Sequence, residues 1–346
     1  MTPVTPAVDR RPSLHEIAES AQVAVSTVSR YLSGQLPLKP DTESRVLQAM
    51  EELGYSRSDH STRGRPTHTG VIGLVVPNIG SSYFSRIAES VVATAEAQGI
   101  SVVITSTLNH SRKQLKYVEL LNSRQVSGII YAGNYTSNKA LSSVIAAGLP
   151  VVVIDEALVG APPVDTVLVD DYAGAYQATA HLVSLGHEKI ALVTGPSSLK
   201  SVHERRRGYE DALRRADIDP AEQLYLSGAF AQDFGVGALS HILAAEQRST
   251  AVFAASDTIA LGIMTGARNL GVSIPDDISV VGFDDIPEAS YITPRLTTVR
   301  TPVEKMAGTA VAMLVDRIDS SDRPVSTSVT AVALVVGDSS AAPAAS

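Results

Sequence analysis

Residues 14–32 read LHEIAESAQVAVSTVSRYL, and their apolar spacing predicts two short helices joined by a tight turn. Helices this short are not stable alone, so their apolar side chains must interlock. Val23 fills the turn between them. We expect the inner faces of the two helices to consist of Ile17, Ala18, Ala21, Val28, Tyr31 and Leu32.

That packing leaves small, hydroxyl and cationic side chains on the outer surface of the second helix. Side chains of this kind let a helix enter the major groove of DNA, where its first turn meets base edges and phosphates. An ordinary helical hairpin in a larger bundle is the alternative, but the position ahead of a complete domain favours a DNA reader. The candidate DNA contacts on this helix are Val25, Ser26, Thr27, Ser29 and Arg30.

Composition limits the class of protein. A chain of 346 residues predicts two or three domains, and 44% hydrophobic residues are ample for large cores. Apolar runs such as residues 150–154 are too short to cross a bilayer, and the N-terminus lacks the apolar core of a signal peptide. The absence of cysteine excludes disulfides and thiolate metal sites and suits a reducing compartment. We therefore expect a cytoplasmic protein without a membrane partner.

Charge is distributed unevenly along the chain. The net charge of −8 lies in residues 67–346, where 20 Lys and Arg face 28 Asp and Glu, because residues 1–66 carry eight of each sign. A neutral head predicts modest DNA affinity for one copy, so tight binding requires a dimer.

Beyond the second helix, the pattern divides the chain into a head, a linker and a core. A third helix is predicted from Pro40 to Leu53, with Val46, Met50 and Leu53 on one face. The polar stretch at 56–69 predicts a linker. The predicted segments outside the core are a disordered arm at 1–12, a helix-turn-helix head at 13–55, this linker, and a disordered tail at 338–346.

From Val71 onward, short β-branched runs alternate with amphipathic helices, which predicts parallel sheets covered by helices. A single sheet would be unusually long, so we expect two doubly wound lobes. The predicted fold class is α/β, with a three-helix head ahead of two parallel-sheet lobes.

Polar and aromatic residues recur where the predicted strands end, the edge at which open parallel sheets bind ligands. Each residue alone is a common loop or cap residue, and Asp257 fits a helix N-cap. Together they predict a polar cleft between the lobes, where aromatic faces stack on a sugar or base and charged groups bind hydroxyls. The candidate ligand contacts are Tyr83, Phe84, Asp155, Arg205, Phe230, Ser256 and Asp284.

Motifs of the common enzyme classes are absent from the sequence. It lacks Gly-x-Gly-x-x-Gly, Gly-x-x-x-x-Gly-Lys-Ser/Thr and Gly-x-Ser-x-Gly, and its eight histidines show no metal-ligand spacing. His203 lies near Arg205, but a surface histidine is the simpler interpretation. We expect neither catalysis nor a bound metal or cofactor.

Several longer motifs occur in a definite order. They are Thr27-Val28-Ser29-Arg30, the segment from Pro40 to Tyr55, Leu185-Gly186-His187, Arg205-x-x-Gly208-Tyr209, Ser256-Asp257, the segment from Pro275 to Asp284, and Leu296-Thr297-Thr298-Val299. In this order they resemble the LacI/GalR family of ligand-responsive transcription regulators, from about Ser13 to about Gly337.

The resemblance implies a periplasmic-binding-protein-like core, a homodimer, a double-stranded DNA operator and a small-molecule effector. It places connections between the lobes near Asp170, Pro287 and Ser320. The implied lobes are 70–169 with about 289–320, and 170–288 with about 321–337.

The resemblance also implies roles for single residues. Ligand contacts of the family map onto Arg205, Phe230, Ser256, Asp284 and Asp155, and more loosely onto Tyr83 and Phe84. Base contacts fall on Val25, Ser26 and Arg30, and phosphate contacts on Thr27 and Ser29.

Some positions depart from the family pattern. Gln22 stands where the turn usually has glycine, so we expect a left-handed conformation that costs roughly 1 kcal/mol. Lys39 replaces the usual Ser or Thr cap ahead of the third helix, so that cap is weak. Tyr131 and Ser256 replace frequent amides, so the ligand preference of a relative does not transfer.

The linker departs from the family pattern more than any other segment does. The family places a hinge helix here, with a leucine that wedges into the minor groove, whereas the matching residue is Gly64, which cannot wedge. Arg63-Gly64-Arg65 instead resembles the core of an AT-hook, an extended segment that lies along a narrow A/T-rich minor groove. A solvated tether is the alternative.

These features predict a dimeric repressor whose effector closes the cleft and changes the spacing of the heads. The effector is a sugar or sugar derivative, with a nucleobase as the second option. The rival classes are a secreted solute-binding protein of sugar uptake and a sugar-modifying enzyme. Residues 14–54 weigh against the first, and the lack of a nucleophile–base pair weighs against the second.

Overall fold

The computed structural model describes residues 13–32, 38–53, 70–108, 110, 113, 116–118, 120–121, 126–133, 139–158, 160–246 and 248–344. The chain divides into two compact units, Met1–His68 and Thr69–Ser346, called here the head and the core. The predicted arm at 1–12 and the predicted linker at 56–69 lie outside the described residues.

Three helices form the head: α1 (Leu14–Ser20), α2 (Val25–Leu32) and α3 (Pro40–Glu52). Ser13 begins α1 with a capping box, because its hydroxyl accepts a hydrogen bond from the Glu16 N–H at 3.3 Å and the Glu16 carboxylate accepts one from the Ser13 N–H. The Tyr31 hydroxyl donates to the Glu43 carboxylate at 2.6 Å and ties α2 to α3.

The apolar spacing predicted the head core correctly at most positions. The buried residues are Ile17, Ala18, Ala21, Val28, Tyr31, Val46, Ala49 and Met50, with Val23 packed against them. The prediction that Leu53 lies on the apolar face of the third helix is wrong. Its side chain is 37% exposed, because α3 ends at Glu52 and Leu53 lies beyond the helix. Gln22 has a φ of 54°, which confirms the left-handed turn. The side chain of Leu32 lies outside the described part.

The core alternates strands and helices. Its elements are β1 (Val71–Val76), α4 (Ser82–Glu96), β2 (Ser101–Ser106), β3 (Ile129–Tyr131), α5 (Lys139–Ala146), β4 (Val151–Asp155), β5 (Asp165–Val169), α6 (Asp171–Ser184), β6 (Ile190–Thr194), α7 (Lys200–Arg215), β7 (Tyr225–Ser227), α8 (Gln232–Ala244), β8 (Ala251–Ala254), α9 (Asp257–Leu270), β9 (Ser279–Asp284), α10 (Glu288–Tyr291), β10 (Thr297–Arg300), α11 (Val303–Asp319), β11 (Thr327–Thr330) and β12 (Ala333–Val335).

Two six-stranded sheets organise these elements. The sheet of the N-lobe has the order β11-β5-β4-β3-β1-β2 and is parallel throughout. The sheet of the C-lobe has the order β12-β10-β9-β8-β6-β7, and β12 alone runs antiparallel within it. The central strands β1, β3, β4, β6, β8 and β9 are almost entirely buried, as expected where helices cover both faces of a sheet, whereas the edge strands β2, β7, β11 and β12 are partly exposed. The predicted class, two doubly wound lobes, is confirmed.

The chain passes between the lobes at different places than expected. The first passage lies at Asp170, between β5 and α6, as given above. The expected passages near Pro287 and Ser320 are wrong. β10 pairs with β9 and stays in the C-lobe, so the chain crosses at residues 301–302; β11 pairs with β5 in the N-lobe, so the last crossing is at 331–332.

The expectation of a disordered tail is wrong for residues 338–344. Ser339 is fully buried, and its hydroxyl accepts a hydrogen bond from the Thr297 N–H at 2.8 Å and donates to the Val280 carbonyl at 2.6 Å. The Ala341 carbonyl is 2.8 Å from Nε2 of the buried His187. The tail is ordered because it satisfies polar groups at the end of the C-lobe sheet.

Candidate functional site

The outer face of α2 carries the predicted DNA contacts. Val25 is 40% exposed, Ser26 and Arg30 are exposed, and Thr27 and Ser29 are half-buried. The helix therefore presents small side chains and one cation on the side away from the head core. Arg63, Gly64 and Arg65 lie outside the described residues.

In the core, the carboxyl ends of the parallel strands form the candidate ligand site. Asp155 ends β4 in the N-lobe, and Asp284 ends β9 in the C-lobe. Both take positive φ angles, 78° and 116°, which are uncommon for residues with a side chain. Such strained backbone at two facing strand ends is typical of a functional site.

Arg205, on α7, lies at the centre of this site and is 5% exposed. Its Nε donates to Asp171 at 2.7 Å, one of its terminal nitrogens donates to the Ala255 carbonyl at 2.5 Å, and that nitrogen lies 3.9 Å from Asp284. The guanidinium also lies 3.7 Å from the centre of the Phe283 ring. These contacts hold the guanidinium in a fixed orientation.

Carboxylates outnumber cations around Arg205. Burial raises the pKa of Asp171 to about 7, although the charge of Arg205 opposes the shift. Burial likewise raises the pKa of Asp284 well above its usual range, against Arg205 and with the charges of Asp257 and Asp155. Both carboxyl groups therefore keep their protons to a higher pH than an exposed aspartate does.

The N-lobe contributes a tyrosine–carboxylate pair. The Tyr83 hydroxyl donates to the Asp155 carboxylate, and burial raises the pKa of Asp155 to about 6 while this hydrogen bond opposes the shift. The pKa of Tyr83 rises well above 10 through burial and the charges of Asp155 and Asp284, while Arg205 lowers it. Hydrogen bonds from Arg86 to the Asp285 carbonyl and from the Lys200 N–H to Glu156 bring the two lobes together at this edge of the sheets.

The predicted aromatic contacts lie in different surroundings. The Phe230 ring is 37% exposed and covers Gly195, where a Cβ would come within 2.2 Å of it. The Phe84 ring meets the Tyr83 ring edge-on at 5.2 Å and packs against the core. Phe230 therefore offers an open face at the strand ends, whereas Phe84 supports Tyr83.

Ser256 and Asp257 have structural partners. The Ser256 hydroxyl accepts a hydrogen bond from the Ile259 N–H at 3.3 Å and caps α9, so Ser256, rather than Asp257, is the N-cap. Asp257 accepts from the Ile286 N–H at 2.9 Å and from the Thr298 hydroxyl at 2.5 Å. It holds the segment after β9 in place.

Sequence reasoning missed two groups of the site, Asp171 and Glu156. Asp171 follows the first passage between the lobes, and Glu156 follows the predicted Asp155, so both lie next to strand ends. Their partners, Arg205 and the start of α7, are more than 30 residues away in sequence.

The described residues contain neither a metal-ligating cluster nor a membrane-spanning helix. No cluster of three or more His, Asp or Glu side chains there is arranged to hold a metal ion. No helix there combines the length and apolar character that crossing a membrane requires.

Comparisons with protein families match both units. Residues 13–58 match the family described as bacterial regulatory proteins, lacI family. Residues 179–340 match the periplasmic binding protein-like domain.

Known proteins are similar along most of the chain. The HTH-type transcriptional repressor PurR of Edwardsiella ictaluri (strain 93-146) is 32% identical over 309 residues, which cover 89% of this chain and 91% of PurR. The solved structure of the transcriptional regulator CelR in complex with cellobiose is 30% identical, with a TM-score of 0.73, and covers 95% of this chain and 100% of CelR. The lac repressor dimer bound to operator and the anti-inducer ONPF is 26% identical, with a TM-score of 0.75, over 96% of this chain and 100% of that one.

Proposed function

Because the chain belongs to the LacI family of bacterial regulatory proteins, we propose that it represses transcription from an operator under control of a sugar or sugar derivative. The relatives are transcriptional repressors rather than enzymes. Regulators of this family bind small-molecule effectors, such as cellobiose in CelR. A regulator that acts on operator DNA works in the cytoplasm.

The observation that carries the sugar assignment is the fixed Arg205 beside Asp284. Arg205 offers donors held in place by Asp171 and Ala255, and Asp284 lies 3.9 Å from it, beyond hydrogen-bond length. A pair of sugar hydroxyls binds this arrangement by accepting from the guanidinium and donating to the carboxylate. The open face of Phe230 stacks on the apolar side of the ring.

Calorimetric titration of the full chain with a panel of neutral mono- and disaccharides tests this assignment. We expect one sugar to bind, and Asp284→Asn to weaken it at least tenfold while the fold is kept. Arg205→Ala is a poorer test, because it leaves Asp171 buried without its cation. Glu222→Ala, which breaks an exposed ion pair with Lys189 at 2.9 Å, is the control. Failure of every sugar to bind would contradict the assignment.

In the head, we propose that Val25, Ser26 and Arg30 contact bases and that Thr27 and Ser29 contact phosphates. The exposure of the first three supports this division of roles. Selection of bound fragments from random DNA would supply the operator for all binding measurements.

We further propose that Arg63-Gly64-Arg65 lies in the minor groove at the centre of the operator. Replacing Arg63 and Arg65 with alanine should weaken operator binding and flatten its salt dependence, because each phosphate-neutralising cation adds about 0.9 to the salt slope. Unchanged affinity would make the segment a tether.

We propose a homodimer as the active form, in which a second copy covers an apolar groove on the C-lobe. The groove measures about 490 Å³ and is lined by Leu261, Met264, Val272, Ile274 and Ile292. Tyr291, beside it, is 79% exposed, and the lac repressor structure is a dimer. In sedimentation velocity, Met264→Asp should shift the protein towards monomer, whereas Val329→Asp, at a 58% exposed residue of the N-lobe, should not.

A further inference from the structure

Helix α7, which carries Arg205, lacks a cap from its own sequence. Leu199 occupies the N-cap with extended backbone and makes no side-chain hydrogen bond to the first turn. The first N–H groups of a helix have no partner within the helix, and Ser, Thr, Asp or Asn normally satisfies one of them. The leucine side chain cannot accept a hydrogen bond, so the first N–H groups of α7 need an acceptor from another part of the chain.

Glu156 of the N-lobe supplies that acceptor. Its carboxylate accepts hydrogen bonds from the Lys200 N–H at 3.0 Å, the Ser201 N–H at 3.3 Å and the Ser201 hydroxyl at 2.7 Å. Glu156 is 4% exposed, and its negative charge lies at the positive end of the helix dipole. The Ala157 N–H also donates to this carboxylate at 3.2 Å, so α7 supplies three of its four described hydrogen bonds.

The local backbone explains how one segment serves two partners. Asp155, with a φ of 78°, turns the chain directly after β4. Its carboxylate binds Tyr83 within the N-lobe, while the next residue, Glu156, reaches the C-lobe. Two consecutive residues, Asp155 and Glu156, therefore line the cleft and join the lobes.

We propose that Glu156 is a latch between the lobes and a positioning residue for the effector site. It ties the end of β4 to the start of α7, and Arg205 lies five residues further along that helix. When the lobes separate, all three hydrogen bonds break together, and the start of α7 loses its cap. The state of the lobes is thereby transmitted to the guanidinium that binds the effector, an interpretation that rests on the function proposed above.

The latch acts beside two other contacts between the lobes. The Ser82 hydroxyl donates to Glu288, and Arg86 donates to the Asp285 carbonyl at 2.8 Å. These join α4 to the segment after β9. Among the contacts described between the lobes, Glu156 is the one that reaches α7.

The test measures the full chain without DNA or effector, so it succeeds or fails independently of the sugar assignment. Hydrogen exchange of the amides of Lys200 and Ser201 and small-angle X-ray scattering are compared for the wild type and Glu156→Ala. We expect at least tenfold faster exchange at both amides and a larger radius of gyration. Glu156→Gln, which keeps one acceptor oxygen, should have an exchange rate and a radius of gyration between those of the wild type and Glu156→Ala. Glu222→Ala, which removes the same charge from a pair within the C-lobe, should match the wild type.

Three results would overturn the latch. The first is unchanged exchange at the start of α7. The second is faster exchange with an unchanged scattering curve, which would reduce Glu156 to a simple helix cap. If Glu156→Ala does not fold, Ser201→Ala takes its place, because it removes only the hydroxyl bond to Glu156. This variant should increase the radius of gyration in the same direction but by less. An unchanged radius of gyration in Ser201→Ala is the third result that would overturn the latch.

Discussion

In the C-lobe wall of the cleft, Arg205 is held by Asp171 and the Ala255 carbonyl, whereas the N-lobe wall contributes Tyr83, which bonds to Asp155, and Glu156, which bonds to the start of α7. The C-lobe groups hold one another in position. Tyr83 and Asp155 likewise bond to each other within the N-lobe, whereas the bonds of Glu156 to the start of α7 depend on how the two lobes lie. The difference indicates that the C-lobe provides a preformed binding surface and that the N-lobe provides the response to binding.

The largest expected effect is the loss of stability when the counter-ion of Arg205 is removed from the C-lobe wall. In Asp171→Ala, the buried guanidinium loses its 2.7 Å partner, so we expect the free energy of unfolding to fall by about 3–5 kcal/mol. Urea denaturation followed by circular dichroism measures the change. Glu222→Ala, which breaks an exposed pair with Lys189, should cost no more than about 1 kcal/mol. Equal costs in the two variants would show that the wall is not held by this ion pair.

A smaller effect is expected in the N-lobe wall. Tyr83→Phe removes the donor to Asp155 and leaves a buried carboxylate oxygen without it, at a cost of about 1–3 kcal/mol. The measurement is the same denaturation at pH 7.5, with Tyr176→Phe, at a half-buried tyrosine whose ring stacks on Tyr172, as the matched control. If Tyr83→Phe proved as stable as this control, the tyrosine would not hold Asp155.

The pH dependence of stability should sharpen the comparison further. Burial raises the pKa of Asp155 to about 6 and that of Asp171 to about 7, from an ordinary 3.8, so the folded state holds protons that the unfolded state releases. Their contribution to stability is present below pH 3.8 and is lost as pH rises through 6 to 7.

Asp155→Asn isolates one of these groups and suits the backbone, since asparagine tolerates a positive φ. Between pH 4 and 6, the free energy of unfolding of this variant, relative to wild type, should rise by up to about 1.4 kcal/mol per pH unit. Denaturation at several pH values measures it. A difference independent of pH would contradict the raised pKa of Asp155.

The sequence predicted what periodicity and strand ends determine. The interior of the head follows from helical spacing, and the β-branched runs are predicted to start at Val71, where β1 begins. Asp155 and Asp284 were identified because polar residues that end parallel strands share one edge of a sheet. These features depend on residues that are close in sequence.

Features that depend on distant partners escaped prediction. β10 and β11 are only four residues long, so their assignment to the lobes depends on pairing with β9 and β5. The tail contains Ser, Ala and Pro, a composition typical of disorder, yet Ser339 is ordered by Thr297 and Val280. Glu156 bonds to a helix that begins 44 residues later in the chain.

The most direct test of the account is the affinity of the full chain for its selected operator, measured by fluorescence anisotropy with and without saturating sugar. A coupled head and cleft should change that affinity by about five- to 150-fold, and Asp284→Asn should bind the operator normally while losing the change. An operator affinity that stays constant as the sugar saturates the cleft would contradict the account.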